Sequence, residues 1–182
     1  MNCAIRADPN RAGQFGNLSI KFSPYGLLKP FLVIFFLLPL VAGAIDISVT
    51  GDWTNLSITA NDLAAGAGSN LNPQDTSNVN QVTIDIFNTT GNADSWRVDV
   101  KKTDTTWGSI PVLSVKRYDD GAGGGSISGG LGFQPVGTTD LSFFSGTGNR
   151  SGIHIQLQIN NLSLSLSPGN YSTTITYTVV DT

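Results

Sequence analysis

The feature that most limits how this chain can fold is alternation with a period of two. Ile45, Ile47 and Val49 alternate with Asp46 and Ser48, and Val82, Ile84 and Ile86 with Thr83 and Asp85. Trp96, Val98 and Val100 alternate with Arg97, Asp99 and Lys101, and Ile153, Ile155, Leu157 and Ile159 with His154, Gln156 and Gln158. Near the end, Tyr171, Ile175, Tyr177 and Val179 are spaced among Ser172, Thr174, Thr176 and Thr178. Successive side chains of a strand point to opposite faces, so each run reads as a strand with one apolar face. Shorter runs of the same kind are Leu56–Ile58–Ala60, Leu113–Val115 and Leu162–Leu164–Leu166. No segment shows a sustained period of 3.6; residues 62–67 allow one helical turn and no more.

The runs are separated by turn-forming stretches: the polar segment 61–80, Thr90-Gly91-Asn92, the glycine-rich segment 119–132, Gly146 to Gly152, and Pro168-Gly169. About seven to nine short strands of this pattern predict an all-β fold, an antiparallel β-sandwich of immunoglobulin or pilin type. A closed barrel is the alternative. A barrel that spans an outer membrane fits poorly, because its strands need about 9–11 residues each.

The front of the chain has a different character. Residues 31–41 (FLVIFFLLPLV) are an unbroken apolar run, preceded by Lys21 and Lys29 and followed by Ala42-Gly43-Ala44. A basic flank, a short apolar core and a small-x-small exit are the parts of a secretory signal. The expected cleavage follows Ala44, leaving residues 1–44 as leader and 45–182 as a single exported domain. The run falls short of the roughly 20 residues a spanning helix needs. About 30 residues precede it, more than a basic leader usually has, and they carry no periodicity; no fold is assigned before Lys21. The expected location is outside the cell, on its surface or in the periplasm.

Residues 45–182 can bury roughly two-thirds of their unfolded surface, enough for a core without staples. They need it, because the one cysteine, Cys3, lies in the leader. From Ile45 onward the chain has six basic residues, twelve Asp and no Glu, a net charge of −6. That balance argues against nucleic acid as a partner and against an anionic membrane surface. Six Asn-x-Ser/Thr sequons occur, at Asn17, Asn55, Asn88, Asn149, Asn161 and Asn170. They matter only in a glycosylating host.

Residues suited to catalysis are few. The only histidine, His154, lies on the polar face of its strand, and a catalytic histidine needs a nucleophile and an orienting partner. The glycine-rich segment lacks the Lys-Ser/Thr ending of a phosphate-binding loop and reads as a flexible loop. No cofactor is expected. Asp119 and Asp120, beside Gly121, are candidate Ca²⁺ ligands, with Asp62 and Asp75 behind them; the spacing of an EF-hand is absent. Trp96 is in phase with a strand's apolar face and is assigned to the core. Trp107 lies in a polar stretch and has two readings: an exposed platform for a sugar or a partner, or a ring closing one end of the sandwich.

The final segment, Leu166-Ser-Pro-Gly-Asn-Tyr-Ser-Thr-Thr-Ile-Thr-Tyr-Thr-Val-Val-Asp-Thr182, resembles the C-terminal strand of bacterial fimbrial subunits and of spore-coat-type surface proteins. Gly169 precedes the alternating Ile175, Tyr177 and Val179. The aromatic residue next to last in that family is missing, since Asp181 stands there, and so is its common disulfide. The resemblance covers about 17 residues of the end alone. It implies a strand that pairs with other subunits. Ile45, Ile47 and Val49 are a candidate donor strand for the same kind of β-strand addition, the alternative being an ordinary first strand. The expected function is a non-catalytic structural or adhesive surface subunit whose partners are itself or other subunits. The rival is a carbohydrate-binding module using Trp107 and the Asp119–Asp120 loop; an enzyme is the third reading.

Overall fold

The computed structural model describes residues 2–5, 44–54, 56–109 and 111–182. The apolar run 31–41, most of the leader around it and the Asn17 and Asn55 sequons lie outside the described residues.

The chain is an all-β sandwich of two sheets. Its strands are β1 (Asn2–Ile5), β2 (Asp46–Thr50), β3 (Trp53–Thr54), β4 (Gln74–Thr76), β5 (Val82–Phe87), β6 (Ser95–Asp104) and β7 (Val112–Arg117). They continue with β8 (Ala122–Gly123), β9 (Ile127–Gly129), β10 (Gln134–Pro135), β11 (Leu141–Thr147), β12 (Arg150–Asn160) and β13 (Ser172–Asp181). The first sheet has the order β3-β1-β13-β6-β11-β9; the second runs β10-β7-β12-β5-β2, with β4 and β8 also paired to β12. Every pairing is antiparallel except that of β1 with β13. Consecutive strands stay in one sheet only from β4 to β5 and from β7 to β8; every other connection between the described strands crosses to the opposite sheet.

The alternating positions meet between the sheets. Val82, Ile84 and Ile86 of β5, Trp96, Val98 and Val100 of β6, and Ile153, Ile155, Leu157 and Ile159 of β12 are all buried. Leu113 and Val115 of β7 and Ile175 and Tyr177 of β13 join them. Two bulges interrupt the alternation. In β11 the register shifts between Ser142 and Phe144, so that the consecutive Phe143 and Phe144 are both buried. Their rings lie 5.0 Å apart, edge to face, and Phe144 meets Trp96 in the same way. In β12 the shift falls between Arg150 and Ile153, where Gly152 has φ 68°. A bulge adds one residue on one side and re-aims those after it.

Where the structure departs from the sequence reading, local chemistry explains it. Leu56–Ile58–Ala60 is not a strand: Thr59 caps a short 3₁₀ turn, Ala60–Asp62, whose Asp62 carboxylate accepts back from the Thr59 N–H at 2.6 Å. This reciprocal cap ends any extended run. Leu162–Leu164–Leu166 is not a strand either. Asn161 takes φ 63° and ends β12, so Leu162 turns into the core while Leu164 stays exposed. Gly146 and Thr147 belong to β11 and the strand β12 starts at Arg150, so the loop there is only Gly148-Asn149. The glycine-rich segment is not a loose loop, since β8 lies against Arg150–Ser151 and β9 against Phe144–Gly146. Glycine is required there by close approach: a Cβ on Gly123, at φ 147°, would fall 2.1 Å from the Asn149 carbonyl oxygen. The unassigned front of the chain contributes β1, in register from Asn2 opposite Ser172 to Ile5 opposite Ile175.

Candidate functional site

Among the described residues, the exposed face of the second sheet carries a grouping in which charge, aromatic rings and polar side chains converge. It starts with Arg117. Leu113, Val115 and Arg117 share the inward parity of β7, so an arginine stands where an apolar residue would continue the core. Its side chain is 2% exposed. Burial of a guanidinium is tolerable only when its donors are matched. Here Nε donates to the Gly129 carbonyl (2.9 Å), and Nη1 to the Asp119 carbonyl (3.0 Å) and to the Asp120 carboxylate. The Arg117 N–H donates to the Gly130 carbonyl (2.7 Å). Arg117 thus fastens both ends of the glycine-rich segment to β7.

Asp119 ties the same corner to β12. Its Oδ1 accepts from the backbone N–H of His154 (3.1 Å) and of Gly121 (3.1 Å), and its Oδ2 lies 2.6 Å from His154 Nδ1. Partial burial alone would push the Asp119 carboxyl up. Hydrogen bonds from the His154 ring, its N–H and the Gly121 N–H, with the charge on the imidazole, outweigh that and hold it below the ordinary range.

Both Ca²⁺ candidates therefore have other employment, Asp119 with His154 and Asp120 with Arg117. Asp62 and Asp75 line a shared recess with Leu56, Ile58, Leu71 and Leu162, but Asp62 accepts from Thr59 and Asp75 from the Thr76 N–H. Among the described residues no three of His, Cys, Asp or Glu gather as a metal site would require. His154 does have the orienting carboxylate that its sequence position did not reveal. No hydroxyl bonds its other ring nitrogen among the described residues, so the pair stands without a nucleophile.

Trp107 is not an exposed platform. It is 1% exposed and its Nε1 donates to the Pro111 carbonyl at 2.7 Å, closing the crossover from β6 to β7. An indole with its one donor satisfied is a comfortable core residue. The exposed aromatics are elsewhere. Tyr118 is 49% exposed and follows Lys116 at strand spacing; Phe133, just before β10, is half-buried. The Lys116 ammonium lies 5.8 Å from the centre of the Tyr118 ring and 5.4 Å from that of Phe133. Gln156 stands directly opposite Lys116, and the Tyr118 N–H donates to the His154 carbonyl, so β12 supplies the next column of this face.

The candidate interaction strands are both built into sheets. Ile45 is buried, and Ile47 and Val49 pair with Ile86 and Ile84 in β2, an edge strand of its own domain. In the described chain this segment is therefore paired within its own sheet. Ile175 and Tyr177 are core residues of β13 and Val179 is half-buried, so their side chains face inward. Comparison with protein-family models, with characterised proteins and with solved structures returns no match.

Proposed function

We propose that residues 45–182 form a non-catalytic structural or adhesive subunit of a cell surface, joined to its neighbours by strand addition. The observation that carries this is the seat of β1. Asn2–Ile5, from the segment ahead of the expected cleavage site, lies between β3 and β13 and pairs with both. Cleavage after Ala44 would take that strand away and open the β13 backbone over Ser172–Ile175. An open edge next to a formed sheet is a template for another chain's strand, with backbone hydrogen bonds supplying affinity. The sequence offers Ile45–Val49 as a candidate donor, with an ordinary first strand as the alternative; with that segment paired in β2, β13 is taken as the acceptor.

The test compares unprocessed chain with protein recovered from outside the cell, by size-exclusion chromatography and negative-stain microscopy. The unprocessed chain should be monomeric, and the processed chain should self-associate or capture a partner until a peptide of residues 1–7 is added. A processed chain that stays monomeric over a wide concentration range, with no partner, sinks the reading. A carbohydrate-binding module is the second reading. The Lys116–Tyr118–Phe133 grouping favours it, in place of Trp107.

A further inference from the structure

We propose that the outer face of the second sheet around Lys116, Tyr118 and Phe133 binds an acidic polysaccharide, one built from uronic-acid units. The proposal stands on this face alone and needs neither cleavage nor strand addition.

Charge supplies the first argument. Among the described residues there are three lysines. Lys101 is paired with Asp140 and Lys102 with Asp104, whereas Lys116 meets no carboxylate and sits over two rings. The nearby acids are already engaged: Asp119 by His154, Asp120 by Arg117 and Asp85 by the Gly152 N–H. A domain of net charge −6 repels a polyanion as a whole, so the attraction is confined to this one local cation, which has no internal counterion and faces outward. A ligand carboxylate completes it, and the rings below lose nothing, because a cation over an aromatic face can still take an anion from the open side.

Shape supplies the second. Tyr118 and Phe133 flank the lysine on an exposed sheet. A pyranose ring has an apolar face of C–H groups and an edge of hydroxyls. An aromatic ring exposed on a flat sheet suits the first, since it offers rigid contact area at little entropic cost. The second needs convergent hydrogen-bonding groups. Gln156 donates its amide to the Ser77 carbonyl, and its Oε1 has no partner among the described residues. The His154 ring is fixed by Asp119 through Nδ1, which leaves Nε2 as the group available to a ligand. A carboxylate on Lys116, a ring against Tyr118 and hydroxyls on Gln156 and His154 describe a sugar acid. An acidic peptide would use the lysine and leave the rings without a flat partner.

The test uses the purified protein in affinity electrophoresis through gels containing polygalacturonate, with neutral galactan and poly-aspartate gels alongside. Polygalacturonate should retard it at low salt, and about 0.5 M salt should remove most of the effect, because the carboxylate contact is screened. Lys116→Ala and Tyr118→Ala should each weaken retardation about tenfold or more, and Lys116→Arg should keep most of it. Thermal midpoints within a few degrees of the parent show that these variants are folded; circular dichroism checks the same. Lack of retardation by polygalacturonate overturns the proposal. So does equal retardation by galactan, equal retardation by poly-aspartate, or a Tyr118→Ala variant that binds as well as the parent. Assembly of the processed chain, if it occurs through β13, should be unaffected by Tyr118→Ala, so this test and that of strand addition fail separately.

Discussion

Arg117, Asp119 and Trp107 each rest on a different balance of forces, and each can be tested singly. Arg117 is a charge held in the core by two carbonyls and one carboxylate. Arg117→Met keeps the volume but leaves the Gly129 and Asp119 carbonyls unmatched. It should cost on the order of 2–4 kcal/mol in urea unfolding and release the glycine-rich segment to limited proteolysis. For Asp119 the sign follows from its depressed carboxyl. The stabilisation is complete above 3.8, the ordinary carboxylate value, and is lost as pH falls through the lower value of the folded state. Its side chain is 40% exposed, so the effect is screened to about 1 kcal/mol or less. Asp119→Asn should lower the neutral-pH midpoint slightly and flatten the decline of stability below about pH 4 in a melt-versus-pH series. Trp107→Ala should cost roughly 3–5 kcal/mol and leave any glycan retardation per folded molecule unchanged, as expected of a buried ring. Parity in the sequence placed Trp96 in the core, but Trp107 lies in a crossover, where parity does not operate, and its polar neighbours suggested exposure. Arg117 was legible in principle. It is in phase with Leu113 and Val115 and followed by two aspartates, a pattern that reads as a buried cation with its counterions. Tyr118 and Phe133 were passed over because nothing in a single sequence says which face of a strand end is left uncovered.

At the scale of elements, the long strands β5, β6, β12 and β13 were plain from alternation, because each buries one face and a slip by one residue would expose it. The short pieces were not. The strands β3, β4, β8, β9 and β10 span two or three residues each, too few for a period to register. Their pairing is set by partners distant in sequence. Glycines mark several of these places. Gly146 in β11 lies under the Trp96 ring, and a Cβ there would fall 2.6 Å from two of its ring carbons. The backbone of Gly146 is not in the left-handed region, so space alone forbids a side chain. Gly146→Ala should therefore destabilise by roughly 1–3 kcal/mol through overpacking and shift the tryptophan emission, both readable in one fluorescence-monitored denaturation. The edge strand β2 is a further test. Removing residues 45–50 strips Ile45 and the backbone partner of β5, so a loss of folded monomer in circular dichroism is expected, rather than a soluble domain.

For the whole molecule, stability rests on packing between two sheets. A single cysteine excludes an internal disulfide. Melting midpoints should be the same with and without reductant, and the same with and without chelator; a fall of several degrees with chelator would revive Asp119 and Asp120 as ligands. Because neighbours in each sheet come from distant parts of the chain, refolding should take milliseconds to seconds, as in other folds of non-local pairing. The topology has one more consequence. Asp46 opens β2 opposite Phe87, Asp181 closes β13 opposite Trp96, and the short turn between Phe87 and Trp96 puts both at one pole of the sandwich. The crossovers 105–111 and 161–171 lie at the other. In the processed chain proposed above, a tether at residue 45 or 182 would hold that pole to its support and present the other pole outward. Tension applied across both ends would peel β2 from β5 and β13 from β6 one backbone bond at a time. The same tension between an end and the far pole would have to shear every bond of a strand together. A domain trimmed to residues 45–182, as proposed, would thus be mechanically anisotropic, yielding along the line between its two ends and resisting across its length.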